Sequence, residues 1–299
     1  MNVHDAVEQF CSYSQYMRGY SPDTIRRYRG AVTGFLKAFP VRDLGELSID
    51  SVRTWFFQGR TEKKWSAATF ETYHKSLVVF FRWCVKEGHL AVSPVANIEH
   101  PKAQKRLPRR LTRDEAMQVL ETVHNRPYPN DFLRCRNHAM FSTFLFAGLR
   151  KQELLRLETG DIDLQSASLL VRRGKGGKDR MIPIAEGLKE SLARYVFARI
   201  RAKKTCPAFF TSGNRDAALS APGLKDVIHS IKTDTGIRFS AHSLRHTFAT
   251  LMLEGGCDIY SLSRMMGHSS ITTTTIYLAA TPQHLRSQIT KHPLNHGSR

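Results

Sequence analysis

Residues 240–252 read Ser240-Ala241-His242-Ser243-Leu244-Arg245-His246-Thr247-Phe248-Ala249-Thr250-Leu251-Met252. Leu244, Phe248, Leu251 and Met252 recur at i, i+4, i+7 and i+8, the spacing of one buried helical stripe. A turn of about 100° per residue then gathers His242, Arg245 and His246 on a face turned away from that stripe. Ser240 is a favoured N-cap residue, so the spacing predicts a helix over 241–254 with its basic groups in the first turns. Free N–H groups there favour an anion. In isolation a His-x-x-Arg pair on a helix is more often a solvated face, so the rest of the chain has to decide.

Helix start and stop signals divide that chain in two. Ser21-Pro22-Asp23 supplies a cap, a proline at the first helical position and an early acid. Ile25, Tyr28, Val32, Phe35, Leu36 and Phe39 follow at helical spacing up to Pro40. A further helix is expected from Ser48 to about Gln58. Another runs over 66–87, with Phe70, Tyr73, Leu77, Phe80, Phe81 and Cys84 on one stripe and Gly88 as its stop. With Val3 to Met17 in front, residues 1–98 are expected to form a helical domain of four or five helices.

Residues 99–110 break the pattern. Pro101-Lys102-Ala103-Gln104-Lys105-Arg106-Leu107-Pro108-Arg109-Arg110 holds five basic residues and no acid, and reads as a basic interdomain linker able to lie along phosphates. Thr112 and Glu115 form a capping box that opens a second domain, 111–299. Helices are expected at about 113–124 and 134–147. Strands follow at 161–164, 168–172 and 180–184, joined by turns at Gln165-Ser166 and at Gly174-Lys175-Gly176-Gly177. Helices then return at about 187–203, 221–233, 241–254, 258–266 and 270–278. The fold class is therefore mainly α with a small antiparallel sheet, an α+β arrangement.

Lys and Arg total 45 against 26 Asp and Glu, a net charge of +19. Nucleic acid is the commonest partner for such an excess; a basic soluble protein without one is the plainer alternative. No run of eighteen uncharged apolar residues is present, so no transmembrane helix is expected. Met1-Asn2-Val3-His4-Asp5 lacks the basic and apolar regions of a secretory signal, and the chain is expected to stay in the cytoplasm. The five cysteines are scattered with no CxxC pair, and the thirteen histidines include no HExxH. Neither a disulfide framework nor a metal site is indicated.

Three further segments bear on the helix at 241. Ala147-Gly148-Leu149-Arg150-Lys151-Gln152-Glu153-Leu154 places an arginine at a glycine break between two apolar helical runs. Lys175 sits at the tip of a hairpin whose glycines allow close approach to another backbone. His268 lies just beyond Gly267, which ends a helix, and Tyr277 follows nine residues later. Arg150, Lys175, His242, Arg245, His268 and Tyr277, at intervals of 25, 67, 3, 23 and 9, resemble the tyrosine recombinase (phage integrase) family, whose pattern runs Arg, Lys, His-x-x-Arg, His or Trp, Tyr. The flanking GLRKQEL, GKGGKDR, HSLRHTFAT and MGHSSITTTTIY resemble it too, and the likeness covers roughly residues 5–285. Thr275 stands where the family often has a Gln.

The resemblance implies a helical, SAM-like core-binding domain and a catalytic domain forming a C-shaped clamp around DNA, with no metal, cofactor or ATP. It implies a site-specific recombinase that cleaves and rejoins strands for integration, excision or resolution of DNA elements. In that chemistry Tyr277 is the nucleophile, giving a 3′-phosphotyrosine and a free 5′-hydroxyl. Arg150 and Arg245 would donate charge-assisted hydrogen bonds to the non-bridging phosphate oxygens as charge builds there. Lys175 would protonate the leaving 5′-oxygen. His242 would serve as base toward the tyrosine hydroxyl or as a phosphate donor, and His268 would hydrogen-bond a phosphate oxygen. Glu153, one turn past Arg150, would orient a neighbouring basic side chain, a surface salt bridge being the nearly equal alternative. His246 reads as structural.

The implied partners are double-stranded recombination sites and three further copies in a synaptic tetramer, with a related recombinase or accessory proteins also open and no membrane. Residues 278–299 would pack on a neighbouring protomer in a cyclic arrangement or form a disordered tail. The layout, without an arm-binding domain or a large insertion between Lys175 and His242, is similar to Xer-type and small transposon- or plasmid-borne recombinases. Two rival readings share the fold: a non-catalytic DNA-binding regulator, and a type IB topoisomerase-like relaxing enzyme. The full set of six residues counts against the first, and the small N-terminal unit against the second.

Overall fold

The computed structural model describes residues 1–95, 97–102, 109–172, 179–268 and 270–278. The chain divides into two units, Met1–Lys105 and Arg106–Arg299.

Side-chain caps start the helices of the first unit where the sequence places them. It contains α1 (Val3–Tyr16), α2 (Pro22–Ala38), α3 (Ile49–Thr61) and α4 (Ala67–Lys86). Ser21, Ser48 and Ser66 each accept a backbone N–H three residues on, satisfying a donor that the helix itself cannot. The apolar stripes converge on Phe10, Phe35, Trp55, Phe80 and Phe81, all fully buried. Each such side chain contributes about 1.5–3 kcal/mol by leaving water. Phe35 meets Trp55 edge-on, with ring centroids 5.5 Å apart. Tyr73 of the expected α4 stripe is only half-buried and lies against the Trp65 ring at 4.6 Å.

The second unit runs α5 (Arg113–Asn125), α6 (Asp131–Ala147), α7 (Lys151–Arg156), β1 (Ile162–Asp163), β2 (Ser168–Val171), β3 (Arg180–Pro183), α8 (Glu186–Arg201), α9 (Ala221–Thr235), α10 (Ala241–Glu254), α11 (Ile259–Met266) and α12 (Thr272–Thr275). Thr112 and Glu115 close the expected capping box at α5, with reciprocal hydrogen bonds of 3.1 and 2.8 Å. Helix α6 is the centre of the unit. It packs on α5, α8 and α10, so residues 139–145 are all buried.

The strands form an antiparallel meander in the order β1-β2-β3, with Leu169 opposite Ile182 and Val171 opposite Arg180. Leu169, Val171 and Ile182 alternate into the core, and this register sets Arg180 at the start of β3, the strand packed on α11. The segment 173–178, read as a hairpin and holding Lys175, lies outside the described residues, as do residues 103–108 of the segment read as a linker and residues 279–299. Arg110, the last linker residue, pairs with Glu254 at 3.2 Å. The Leu111 N–H donates to Thr247 Oγ1 at 2.8 Å, fastening the start of this unit to α10.

Two expectations need correction. Helix α10 has no broad solvated face: every residue from Ser243 to Thr250 is buried, because α6 and α11 both pack on it. Leu251 and Met252, expected in the core, are half-buried, while Ala249 and Leu253 are buried. Second, the helix expected over 270–278 reduces to the four residues of α12. Those residues are Thr272, Thr273, Thr274 and Thr275, and β-branched side chains in series are poor helix formers. No described helix is long and apolar enough to cross a membrane.

Candidate active site

Helix α6 ends at Gly148, whose φ of +60° is left-handed. A Cβ there would stand 2.2 Å from Phe248 Cδ1, so the missing side chain lets α10 close on the end of α6. Two residues later Arg150 occupies the N-cap position of α7, and Glu153 folds back onto it. Glu153 Oε2 accepts the Arg150 backbone N–H at 2.8 Å, and Oε1 accepts its guanidinium at 2.7 Å.

Glu153 is 8% exposed and is shared by three arginines. Arg180 donates to both carboxylate oxygens, at 3.0 and 2.7 Å, and Arg245 stands 3.7 Å away. Burial alone would raise the carboxyl's pKa. The hydrogen bonds and charge of Arg180, then those of Arg150, outweigh burial and bring it down to about 2. One carboxylate cannot neutralise three guanidiniums, so the cluster stays cationic.

Arg245 is 2% exposed and spans two helix ends. It donates to the Gly148 carbonyl and to the Met266 carbonyl, each at 2.6 Å, both at the negative C-terminal ends of helices, α6 and α11. Burial, reinforced by Arg150 and opposed by Glu153, lowers its pKa to about 10, so it remains charged at neutral pH. Gly267 ends α11 at φ +63°. Its carbonyl accepts Arg150 Nη2 at 3.2 Å, and a Cβ there would meet the Arg180 side chain at 2.9 Å.

His268 follows directly. Arg245 Nη2 lies 3.2 Å from His268 Nε2, and a guanidinium only donates, so Nε2 accepts. Nδ1 therefore carries the proton and donates to Thr274 Oγ1 at 2.8 Å. Thr274 is fully buried in α12, which explains how so short a helix is held in place.

Tyr277 is 4% exposed. Its hydroxyl lies 2.8 Å from His246 Nδ1. Burial raises its pKa, with Arg245 and Arg150 pulling the other way. His246 packs against the His242 ring, centroids 4.1 Å apart. Its pKa falls to about 4 through burial and the neighbouring His242 and Arg245, so it is neutral at pH 7. His242 is solvent-exposed at the first turn of α10, and partial desolvation with Arg245 and Arg150 lowers its pKa as well.

Arg150, His242, Arg245, His246, His268 and Tyr277 line one cleft of about 380 Å³. Five of the six residues singled out in the sequence thus meet in one place. Lys175 lies outside the described residues. Glu153 is a buried hub rather than a surface salt bridge. Sequence reasoning missed Arg180, although it closes the GKGGKDR segment; only the β2–β3 register shows that this arginine reaches Glu153. It also read His246 as structural, whereas His246 touches the tyrosine hydroxyl; its position one turn after His242 on α10 was the available signal.

Residues 109–284 match the phage integrase family, and residues 7–88 match the phage integrase N-terminal SAM-like domain. The chain belongs to the phage integrase family and is a Xer-like tyrosine recombinase. It is similar to tyrosine recombinase XerC of Corynebacterium efficiens, at 33% identity over 94% of this chain and 88% of that one. Its fold is that of the XerH site-specific recombinase bound to palindromic difH in a post-cleavage complex (TM-score 0.73, 23% identity, 95% of this chain and 83% of that one). It is also that of a lambda integrase tetramer bound to a Holliday junction (TM-score 0.72, 20% identity, 93% and 77%). Likeness to tyrosine recombinases over nearly the whole chain disfavours the regulator and topoisomerase readings.

Proposed function

We propose that the protein recombines DNA at specific sites through a 3′-phosphotyrosine on Tyr277, with residues 1–98 as a core-binding domain and 111–299 as the catalytic domain. The observation that carries this reading is the Tyr277 hydroxyl, buried in a cleft whose other walls are Arg150, Arg245 and His268. A phosphodiester entering that cleft meets guanidiniums already held by Glu153 and by helix-end carbonyls, so little reorganisation is needed as charge builds on the non-bridging oxygens. Tyr277 attacks phosphorus, and Lys175 protonates the departing 5′-oxygen. The covalent link conserves the energy needed to rejoin the strand to another duplex.

The partners in this reading are two duplex recombination sites, bound by a tetramer of this chain in the cytoplasm. The net charge of +19 supports duplex binding. Affinity then falls with salt at a log–log slope of about −0.9 per phosphate neutralised.

The test is a nicked suicide duplex carrying the element's own flanking sequence. Wild-type protein gives an SDS-resistant protein–DNA adduct, and Tyr277→Phe gives none while still binding. An adduct retained by the Phe variant shows that a different residue attacks; specific binding by the wild type without any adduct refutes the reading.

A further inference from the structure

We infer that His246, not His242, is the base that takes the proton of Tyr277 as its hydroxyl attacks DNA. The inference rests on the reading of Tyr277 as nucleophile. His246 Nδ1 is 2.8 Å from the tyrosine oxygen, already within the distance at which a proton is handed over. His246 is 9% exposed and Tyr277 is 4% exposed, so the tyrosine proton has a protein acceptor at hydrogen-bond distance within a largely enclosed setting. His242 packs on the His246 ring, is solvent-exposed and lines the same cleft, which leaves it free to serve as a donor to a phosphate oxygen.

The protonation states fit. A neutral imidazole has one acceptor nitrogen. For Tyr277 to donate, His246 must be neutral with its proton on Nε2, and it is neutral at pH 7. The groups facing it are His242 and Arg245 from its own helix and Tyr277, with Arg150 and His268 lining the same cleft. All these neighbours are cationic or neutral, so the imidazolium is a transient. It forms as negative charge reaches the phosphate and gives its proton back when the strand is rejoined.

In the forward step the Tyr277 Oη–H bond breaks, its proton moves to His246 Nδ1, and an Oη–P bond forms. The P–O5′ bond breaks with its electron pair on O5′, which takes a proton from the general acid. Rejoining runs the same transfers backwards, with the 5′-hydroxyl as nucleophile and His246 returning its proton to the tyrosine.

The test is single-turnover cleavage of the suicide duplex by His246→Asn and His246→Ala, alongside wild type and Tyr277→Phe. Asn places an oxygen near the Nδ1 position and accepts the hydrogen bond but not the proton. The expected result is cleavage slower by about 100-fold or more for both variants, with DNA affinity unchanged. The His246→Asn rate climbs through alkaline pH, where hydroxide substitutes for the base, while the wild-type rate levels off. Replacing the bridging 5′-oxygen by sulfur removes the need to protonate the leaving group, and leaves the His246→Asn defect in place.

A His246→Asn rate within a few-fold of wild type overturns the inference, as does rescue by the 5′-sulfur substrate, which would put His246 at the leaving group. Absence of any adduct with wild type would instead defeat the underlying reading. If neither variant folds, ¹⁵N-histidine spectra of wild type against Tyr277→Phe decide: the His246 Nδ1 resonance shifts when the hydroxyl is removed, and an unmoved resonance refutes the contact.

Discussion

Arg180 holds Glu153 by both carboxylate oxygens, at 3.0 and 2.7 Å, across 27 residues of sequence. The pair joins the sheet to α7 and fixes the carboxylate against which Arg150 and Arg245 are set. Removing Glu153 and removing Arg180 therefore have unequal consequences. Without the carboxylate, three guanidiniums face one another in a buried site, at a cost of about 3–5 kcal/mol. Without Arg180, Glu153 keeps Arg150 and Arg245, and the loss is that of charged hydrogen bonds, about 1.5–3 kcal/mol. Urea denaturation of Glu153→Gln against Arg180→Met measures the difference, and equal losses would show that Arg180 alone matters to the cluster.

Acid should unfold the protein in stages. His138, bonded to Ser191 Oγ at 2.9 Å, is pushed down to about 4 by burial and then by His124 and Arg194, and His246 is also near 4. The unfolded chain binds these protons near pH 6.5, but the folded chain does not until about 4. Stability is therefore complete above pH 7 and declines as pH falls from 6.5 to 4. Glu153 adds a later stage: its depressed carboxyl stabilises the fold above about 4.5, and that contribution goes as pH falls towards 2. Melting temperatures from pH 7.5 to 4.5 check this, with His138→Asn showing the shallower decline. A flat profile over that range would mean the histidines are not buried as neutral rings.

Much of this was legible in the sequence, for a physical reason. Caps such as Ser21, Ser48, Thr112 and Ser240 act within three residues, so local pattern is enough to find them. The glycines flanking the site could be read for the same reason, since Gly148 and Gly267 each end a helix in a left-handed conformation. What escaped was long-range. The reach of Arg180 to Glu153 depends on strand register, and the burial of α10 depends on both α6 and α11 packing on it. A helix covered by more than one neighbour has no single apolar stripe, so period-3.6 logic assigned a solvated face to residues such as Arg245 and His246 that are buried. His246 was missed because its partner lies 31 residues away on a turn that the threonine run does not announce.

Gly148→Ala tests how closely α10 must approach α6. The left-handed backbone costs a side chain about 1–2 kcal/mol, and the Cβ would also strike Phe248, since it would stand 2.2 Å from Cδ1. Together these amount to about 2–4 kcal/mol, or a fall in melting temperature of roughly 5–15 °C. Because the Gly148 carbonyl also holds Arg245, cleavage falls along with stability. Adding Phe248→Leu should recover part of the stability by removing the clash while leaving the backbone strain. No recovery in the double variant would place the whole cost in φ.

Arg245→Lys separates charge from geometry. The guanidinium reaches Gly148 O and Met266 O with different nitrogens and also contacts His268 Nε2. A lysine ammonium is a single donor centre and cannot span both helix ends. At least one carbonyl then loses its partner in a buried site, costing about 1–3 kcal/mol of stability. Positive charge is retained, so duplex affinity and its salt dependence should barely change. The planar pair of donors is lost, and adduct formation on a nicked duplex should slow by about 10²–10³. His268 would also be released from the contact that makes its Nε2 an acceptor, so its tautomer would no longer be fixed. Binding and single-turnover cleavage measured on the same duplex distinguish these effects. Wild-type cleavage by the lysine variant would mean that positive charge alone, without the bridge between α6 and α11, suffices at this position.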